Sequence, residues 1–576
     1  MAGKRVLIVG GVAGGATCAA RLRRLDENAE IVVFERGYYV SYANCGLPYF
    51  VGNVIERESK LLLASPDLFR ERFRIEVRVR NEVIGIDRRS RCVVVRDVDS
   101  GREYRESYDA LVLSPGAAPV RPAWPGIDLP GIYTLRTLAD SEDIRDWIEA
   151  QGARRAVVVG GGFIGLEMAE NLVRRGMEIT IVEAAEQVMP LLDAEMAEYV
   201  RRRVASKVAR LHLGDGAAGF EAGADGGLVV RTAAGERFGA DLVILAMGVR
   251  PENQLARAAG LDIGRCGGIR VDETMRTSDP AIWAVGDAVE IRSRLTGRWG
   301  LMPLAGPANR QGRVAADSIC GRRSRFAGVQ GTAVCGVFGL TAALTGETEK
   351  TLESAGIGDF RTVYVHPGHH AGYYPGAKTI HMKLLFREPD GLVLGAQAVG
   401  EEGVERRIDV IAMAIESGAT VFDLEEVELC YAPQYGSARD AVNMAGMAAA
   451  NVVRGDVGLA EWSEMESGDG FLLDVREVDE VRESPIEGAV NIPLGQLRGR
   501  VSELPREREI WVVCRAGRRS YYACRVLTQQ GFRARNLSGG YRTYEALCGE
   551  RGHEFVRSEM QVRLARLSRM VWRVSS

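Results

Sequence analysis

The sequence has no C-x-x-C pair, no apolar run approaching 18 residues and almost no net charge. The first absence argues against zinc ribbons and thioredoxin-type motifs, and ten cysteines scattered through 576 residues are too sparse for a disulfide scaffold. A reducing, cytoplasmic setting is the default expectation. The second absence leaves nothing long enough to span a membrane. Lys4 and Arg5 before an apolar run imitate a signal peptide, but Gly10 and Gly11 interrupt that run. A formal charge of −3, from 74 basic and 77 acidic residues, gives no overall basic field for nucleic acid. No metal site is expected. What the chain has in excess is glycine, 68 residues against about 7% in average usage. With no collagen period, that excess belongs in special turns, which favours nucleotide-binding loops. At 46% apolar and 26% charged residues, the length implies several domains.

The glycines fall where dinucleotides bind. Val6 to Val9 is a β-type run that ends at Gly10-Gly11-Val12-Ala13-Gly14-Gly15, followed by a helical stretch from Ala16 to Leu25 and a second strand from Ile31 to Phe34 that closes on Glu35 and Arg36. Such a unit puts a pyrophosphate on a helix N-terminus and a ribose hydroxyl on a carboxylate. Val12 stands where the middle glycine of G-x-G-x-x-G belongs. The unit recurs, now complete, as Ala156 to Val159, then Gly160-Gly161-Gly162-Phe163-Ile164-Gly165, a helix through Arg175, and Ile179 to Val182 closing on Glu183. An acid in that place repels a 2′-phosphate, so the second site is expected to prefer NADH to NADPH.

Tyr108 to Gly116, with Ser114 and Gly116 at its end, and Ala240 to Gly248 resemble the strand-plus-glycine returns of two-dinucleotide flavoproteins. Ala281 to Asp287 resembles their second FAD motif, and the resemblance implies that Asp287 meets the flavin's ribityl chain. Leu472 to Glu477, Gly488 to Leu494 and Trp511 to Ser520 resemble a single rhodanese domain, so the implied fold class is α/β: FAD and NAD Rossmann-like domains, then an α+β interface domain and an α/β rhodanese domain. The expected FAD-binding domain is discontinuous, over 1–115 and 248–325, and is split by an NADH-binding domain over 150–247. An interface domain over 326–452, a linker over 453–464, a rhodanese-like domain over 465–556 and a basic tail over 557–576 follow.

Ser41-Tyr42-Ala43-Asn44-Cys45-Gly46-Leu47-Pro48-Tyr49 offers one cysteine where disulfide reductases place a C-x-x-x-x-C pair. This S-x-x-x-C segment resembles coenzyme A-disulfide reductases, and its fusion to a rhodanese-like unit resembles their NADH-dependent persulfide reductase branch. A lone thiolate cannot store two electrons as an internal disulfide, so Cys45 must pair with sulfur from the substrate. The resemblance implies a cytoplasmic homodimer with FAD and NADH as cofactors and coenzyme A as a substrate moiety, held near Ser41 and Asn44. Arg21 and Arg24, one helical turn apart, are candidates for its phosphate. No histidine replaces the family's missing acid, so the resemblance assigns that role to tyrosines supplied across a dimer interface. Tyr431-Ala432-Pro433-Gln434-Tyr435-Gly436 and Gly372-Tyr373-Tyr374-Pro375-Gly376 carry it, with Tyr431 and Tyr435 as candidate proton donors and Tyr374 as a substrate contact. Gln434, Gly436 and Cys430 depart from the usual pattern.

In the rhodanese-like unit, Cys514 follows a strand and opens a loop before a helix, expected from Tyr521 to Gln530, which aims backbone N–H groups at its sulfur. A phosphatase loop needs C-x5-R; here Arg519 is one residue early and Ser520 holds that place, so sulfur transfer outranks phosphate hydrolysis. Arg515, Arg518 and Arg519, with Gly517 at the bend, suit an anionic sulfur donor. In the tail, Leu564, Leu567, Val571 and Val574 form one stripe among arginines, expected as an interface helix with no function assigned.

The reading is an NADH-dependent FAD reductase of coenzyme A persulfide or disulfide, with polysulfide also open as substrate, in which Cys514 carries sulfane sulfur. Two alternatives stay open. One is an NADH oxidase or peroxidase cycling Cys45 through sulfenic acid, disfavoured because Ala13 stands where those enzymes commonly have histidine. The other is a redox sensor or electron-transfer partner whose rhodanese-like unit docks proteins.

Overall fold

The computed structural model describes residues 3–548 except 225, 467 and 469. The expected tail helix over 557–576 therefore lies outside the described residues. Two compact units emerge: one runs to Glu186 and resumes over Lys207–Val329, and the other takes Gln187–Ser206 and continues from Gln330.

The first unit is built around two parallel five-stranded sheets. One is ordered Ile282–Ala284, Ala110–Leu113, Arg5–Val9, Glu30–Glu35, Glu76–Val79; the other is ordered Arg210–His212, Glu178–Val182, Arg155–Val159, Leu242–Leu245, Ile132–Thr134. Their central strands are uninterrupted apolar runs, with Leu7, Ile8, Val157 and Val158 wholly buried, as a parallel sheet covered on both faces requires. Helix Ala13–Leu25 follows the first central strand and helix Phe163–Arg174 follows its counterpart. Both begin about three residues earlier than their apolar periodicity suggests, directly out of the glycine turn. Helix Ala13–Leu25 is crossed closely by helix Ala305–Ile319: a Cβ on Gly312 would lie 2.4 Å from the Gly14 carbonyl oxygen.

In the second unit, an antiparallel sheet runs Ala333–Val337, Leu340–Gly346, Val393–Gly400, Ile380–Arg387, Phe360–Val365. Helix Ala194–Ala205 belongs here, so the expected continuous 150–247 domain is interrupted. The reason is electrostatic as well as apolar. Lys383, fully buried on the sheet, lies 2.7 Å from Asp193 and 2.5 Å from Glu195 at the start of that helix.

A parallel sheet ordered Gly458–Ala460, Ala534–Leu537, Ile510–Val513, Phe471–Asp474, Val490–Asn491 completes the unit. The expected linker over 453–464 is thus in part the edge strand of this sheet, with Ala460 paired to Leu537 and Trp462 buried against Tyr544. Among the described residues, no helix is long and apolar enough to cross a membrane.

Candidate active site

Two glycine turns of the first unit are near copies of one another. Gly10 and Gly160 have φ of +94° and +114°, a region closed to most side chains. A Cβ on Gly15 would fall 1.9 Å from the Gly10 oxygen, and one on Gly165 falls at the same distance from the Gly160 oxygen. Glu35 accepts the amides of Gly11 at 3.0 Å and Gly37 at 2.9 Å; Glu183 accepts those of Gly161 at 2.6 Å and Ala185 at 2.8 Å. Neither helix has a side-chain cap at Val12 or Gly162, so its first amides are left for an anion. A Cβ on Gly162 or Gly248 would meet open space, leaving room above the second turn. Ala13 opens the first helix, and Phe163 and Ile164 open the second. These cradles fit two dinucleotides.

Around the first turn, Ser114 donates its amide to Val9 and its hydroxyl oxygen lies 3.0 Å from where a Gly14 Cβ would be. Gly116 has φ +81°. Arg36, expected among the FAD-binding residues, is held by both oxygens of Glu252, at 2.8 and 2.5 Å.

The Cys45 segment is stitched to this turn through Ser41. Ser41 sits at φ +50°, donates its amide to the Gly11 oxygen at 2.8 Å and accepts from Leu63 at 2.9 Å. Its left-handed backbone swings the chain into the tight turn Asn44–Gly46, which places Cys45 exposed ahead of helix Leu47–Val51. Partial covering of the thiol pushes its pKa up, and the Glu167 and Asp287 carboxylates push it further, while Arg136 pulls it down.

Arg136 was not legible as a site residue. Its guanidinium lies 2.8 Å from Asp287, its carbonyl accepts from Asn44, and Thr137 beside it caps helix Leu138–Gln151. Glu167, on the helix of the second turn, accepts from Tyr49 at 3.2 Å, and burial raises its pKa. Its only sequence signal is its position two residues past Gly165.

The two candidate coenzyme A arginines have different fates. Arg21 spends two N–H groups on Asp317, at 3.1 and 2.9 Å, while Arg24 is exposed. They do not form the expected fork toward one phosphate.

In the second unit, the two tyrosine segments come together. Tyr373 and Tyr431 share a hydrogen bond of 2.6 Å between hydroxyls, both exposed. Tyr374 instead sets its ring edge-on to His370, at 5.5 Å and 86°. Consecutive loop residues point apart, so only one of the adjacent tyrosines can face Tyr431. Tyr435 is exposed, its carbonyl held by Arg406 at 2.6 Å. Beneath, buried Arg407 bonds Asp440 at 2.7 Å and the His369 carbonyl at 2.6 Å, which ties both segments to one post.

Cys514 ends the strand Ile510–Val513 and is buried; Gly517, at φ +85°, turns the loop into helix Arg518–Gln529. Ser520 donates its hydroxyl toward the Cys514 sulfur at 3.3 Å. Arg519 is corrected as a free anion receptor: its two N–H groups take both oxygens of Glu480, at 2.6 and 2.7 Å. That hydrogen bond pulls the Glu480 carboxyl down to about 2. Arg515 and Arg518 remain exposed at the mouth. All ten cysteines, Cys45 and Cys514 among them, are free thiols.

Comparison with known proteins shows what the chain is similar to. Over 444 residues the chain is 35% identical to coenzyme A disulfide reductase of Staphylococcus haemolyticus, covering 77% of this chain and 98% of that protein. Reduced Bacillus anthracis CoADR-RHD superposes with a TM-score of 0.92 at 44% identity, over 95% of this chain and 98% of that one. A NAD-dependent persulfide reductase from A. fulgidus does so with a TM-score of 0.87 at 38% identity, over 94% and 100%. Residues 332–441 match the dimerisation domain of the pyridine nucleotide-disulphide oxidoreductases and residues 459–547 match a rhodanese-like domain. With its duplicated glycine turns lying inside the span 4–312 that matches the principal domain, the chain belongs to the pyridine nucleotide-disulphide oxidoreductase family.

Proposed function

We propose that this chain is an NADH-dependent, FAD-containing reductase of coenzyme A disulfide or persulfide whose rhodanese-like domain carries sulfane sulfur on Cys514. The observation that carries the reading is the lone, exposed Cys45 thiol beside Arg136 and Asp287, unpaired to any other cysteine. A reductase with one thiol needs a substrate that brings the second sulfur.

Gly10, Gly11, Gly14, Gly15 and Glu35 would hold FAD, with Ser114, Gly116 and Asp287; Gly160, Gly162, Gly165 and Glu183 would hold NADH. Bound flavin supplies passage of an electron pair from NADH to sulfur. The residues of the chain do the rest. The Cys45 thiolate attacks one sulfur of the substrate S–S bond, a mixed disulfide or persulfide forms on Cys45, and the other sulfur leaves with the bonding pair. That departing thiolate needs a proton. In a homodimer, each copy's Tyr373–Tyr431 pair supplies it to the other. With Tyr373 donating to Tyr431, the Tyr431 hydroxyl is a strengthened donor, because hydrogen-bonded chains polarise one another. The work is that of a cytoplasmic enzyme on small thiols.

Cys45→Ser tests this. Reduction of coenzyme A disulfide and persulfide should vanish while NADH still bleaches the flavin, since hydride transfer needs no thiol. Turnover near the wild-type rate in that variant sinks the mechanism. A parallel panel with oxygen and peroxide as acceptors separates reductase from oxidase.

A further inference from the structure

The Gly517 carbonyl has more donors than it can use. The Tyr521 amide reaches it at 3.1 Å, the Asn536 side-chain amide at 3.2 Å and the Ser520 hydroxyl at 3.0 Å. A carbonyl oxygen has two lone pairs. Tyr521 N–H is fixed by the helix. The Asn536 amide is fixed too: its own oxygen is buried with no partner, so turning it over would set oxygen against oxygen. Only the Ser520 O–H can rotate elsewhere, and the other acceptor within reach is the Cys514 sulfur at 3.3 Å. Ser520 is wholly buried and Cys514 is 1% exposed, so little water competes.

Resting on the reading of Cys514 as a sulfur carrier, we infer that Ser520 is the hydrogen-bond donor to the sulfur anion held on Cys514. Asn536 is a positioning residue that occupies Gly517 and so commits the Ser520 proton to sulfur. The reaction balances without a further oxidant. The Cys514 thiolate attacks the sulfane sulfur of a donor such as thiosulfate; the S–S bond breaks, sulfite leaves with the electron pair, and Cys514 holds a persulfide anion. An acceptor thiolate then takes the terminal sulfur and Cys514 returns as thiolate. The attacking thiolate and the persulfide anion both accept a hydrogen bond, and Arg519 is not free to provide it. Ionisable groups facing the loop include Arg515 and Arg518, the Arg519–Glu480 pair, Arg542, whose amide bonds the Arg515 carbonyl, Tyr541, whose amide bonds the Cys514 carbonyl, and the buried thiol of Cys524.

The test is the pH profile of Cys514 alkylation by iodoacetamide in the full-length protein, read by mass spectrometry of its peptide. Losing one donor to a charged sulfur should raise the midpoint by about one pH unit in Ser520→Ala, a roughly tenfold slower alkylation at any pH on the acid side of the midpoint. Ser520→Thr, which keeps the hydroxyl, should restore it. Asn536→Leu frees Gly517 to compete for the Ser520 proton and should shift the midpoint the same way, but less. The Cys514 persulfide formed from thiosulfate should decay several-fold faster in Ser520→Ala, with reduction of coenzyme A disulfide at Cys45 unchanged. An unmoved midpoint in Ser520→Ala overturns the inference. Failure of the wild type to take up sulfur instead overturns the carrier reading, and the midpoint still decides whether the hydroxyl serves the sulfur.

Discussion

The guanidinium of Arg136 bridges 2.8 Å to the carboxylate of Asp287 and opposes the two carboxylates, Glu167 and Asp287, that act on the Cys45 thiol. Because that thiol lies above its usual range, the reactive thiolate fraction grows as pH rises. Arg136→Gln should displace the pH profile of Cys45 alkylation to higher pH and slow the reaction at neutral pH by about three- to tenfold. A profile that stays put, or moves to lower pH, contradicts this balance of charges.

The Tyr373–Tyr431 hydrogen bond makes the two phenols one unit. Tyr373→Phe and Tyr431→Phe should each lower kcat on coenzyme A disulfide by roughly tenfold, the double variant being little worse than the more damaging single one. Tyr374→Phe should stay near wild type, because its ring packs on His370. Additive losses from Tyr373 and Tyr431 would show that they act separately.

Glu183 keeps both oxygens bound to backbone amides beside the second glycine turn. Flavin reduction by NADH should therefore outpace that by NADPH, and Glu183→Ala should narrow the gap by removing the charge that opposes a 2′-phosphate. Stopped-flow reduction with each nucleotide decides it; equal rates in the wild type would remove the assignment.

The Arg519–Glu480 pair links the Cys514 loop to helix Val478–Glu483. Glu480 has a folded-state pKa of about 2, below its unfolded value, so its contribution is complete above the unfolded carboxylate range and lost as pH falls toward 2. Both side chains are partly exposed, so the contribution is about 1 kcal/mol. Glu480→Gln should lower the denaturation midpoint of the rhodanese-like domain at neutral pH and leave its acid limb flatter. An unchanged acid limb would show that other groups set it.

Much of this was written locally. Glycine turns, the acids at the ends of the following strands, the S-x-x-x-C segment and the Cys514 loop are each short stretches whose chemistry lies within a few residues, and α/β fold class follows from their alternation with apolar runs. Their meaning does not depend on distant partners. The early starts of the helices at Ala13, Phe163 and Arg518 were hidden because glycine turns open helices without the capping side chains that mark a start in sequence.

Only the folded chain decided the rest, wherever a residue's role is set by something far along the sequence. Arg136 meets Asp287 across 151 positions. Tyr373 rather than Tyr374 meets Tyr431 because a loop bend, not composition, selects which ring faces across. Arg519 is spent on Glu480, 39 positions away. Gly458–Ala460 became a strand because Ala534–Leu537 offered an open edge. Helix Ala194–Ala205 packs in the second unit, where buried Lys383 meets Asp193 and Glu195 across 190 and 188 positions. A sequence specifies its local turns through φ, ψ and hydrogen-bonding chemistry; charge pairing and the choice between adjacent side chains require the three-dimensional neighbours to be present.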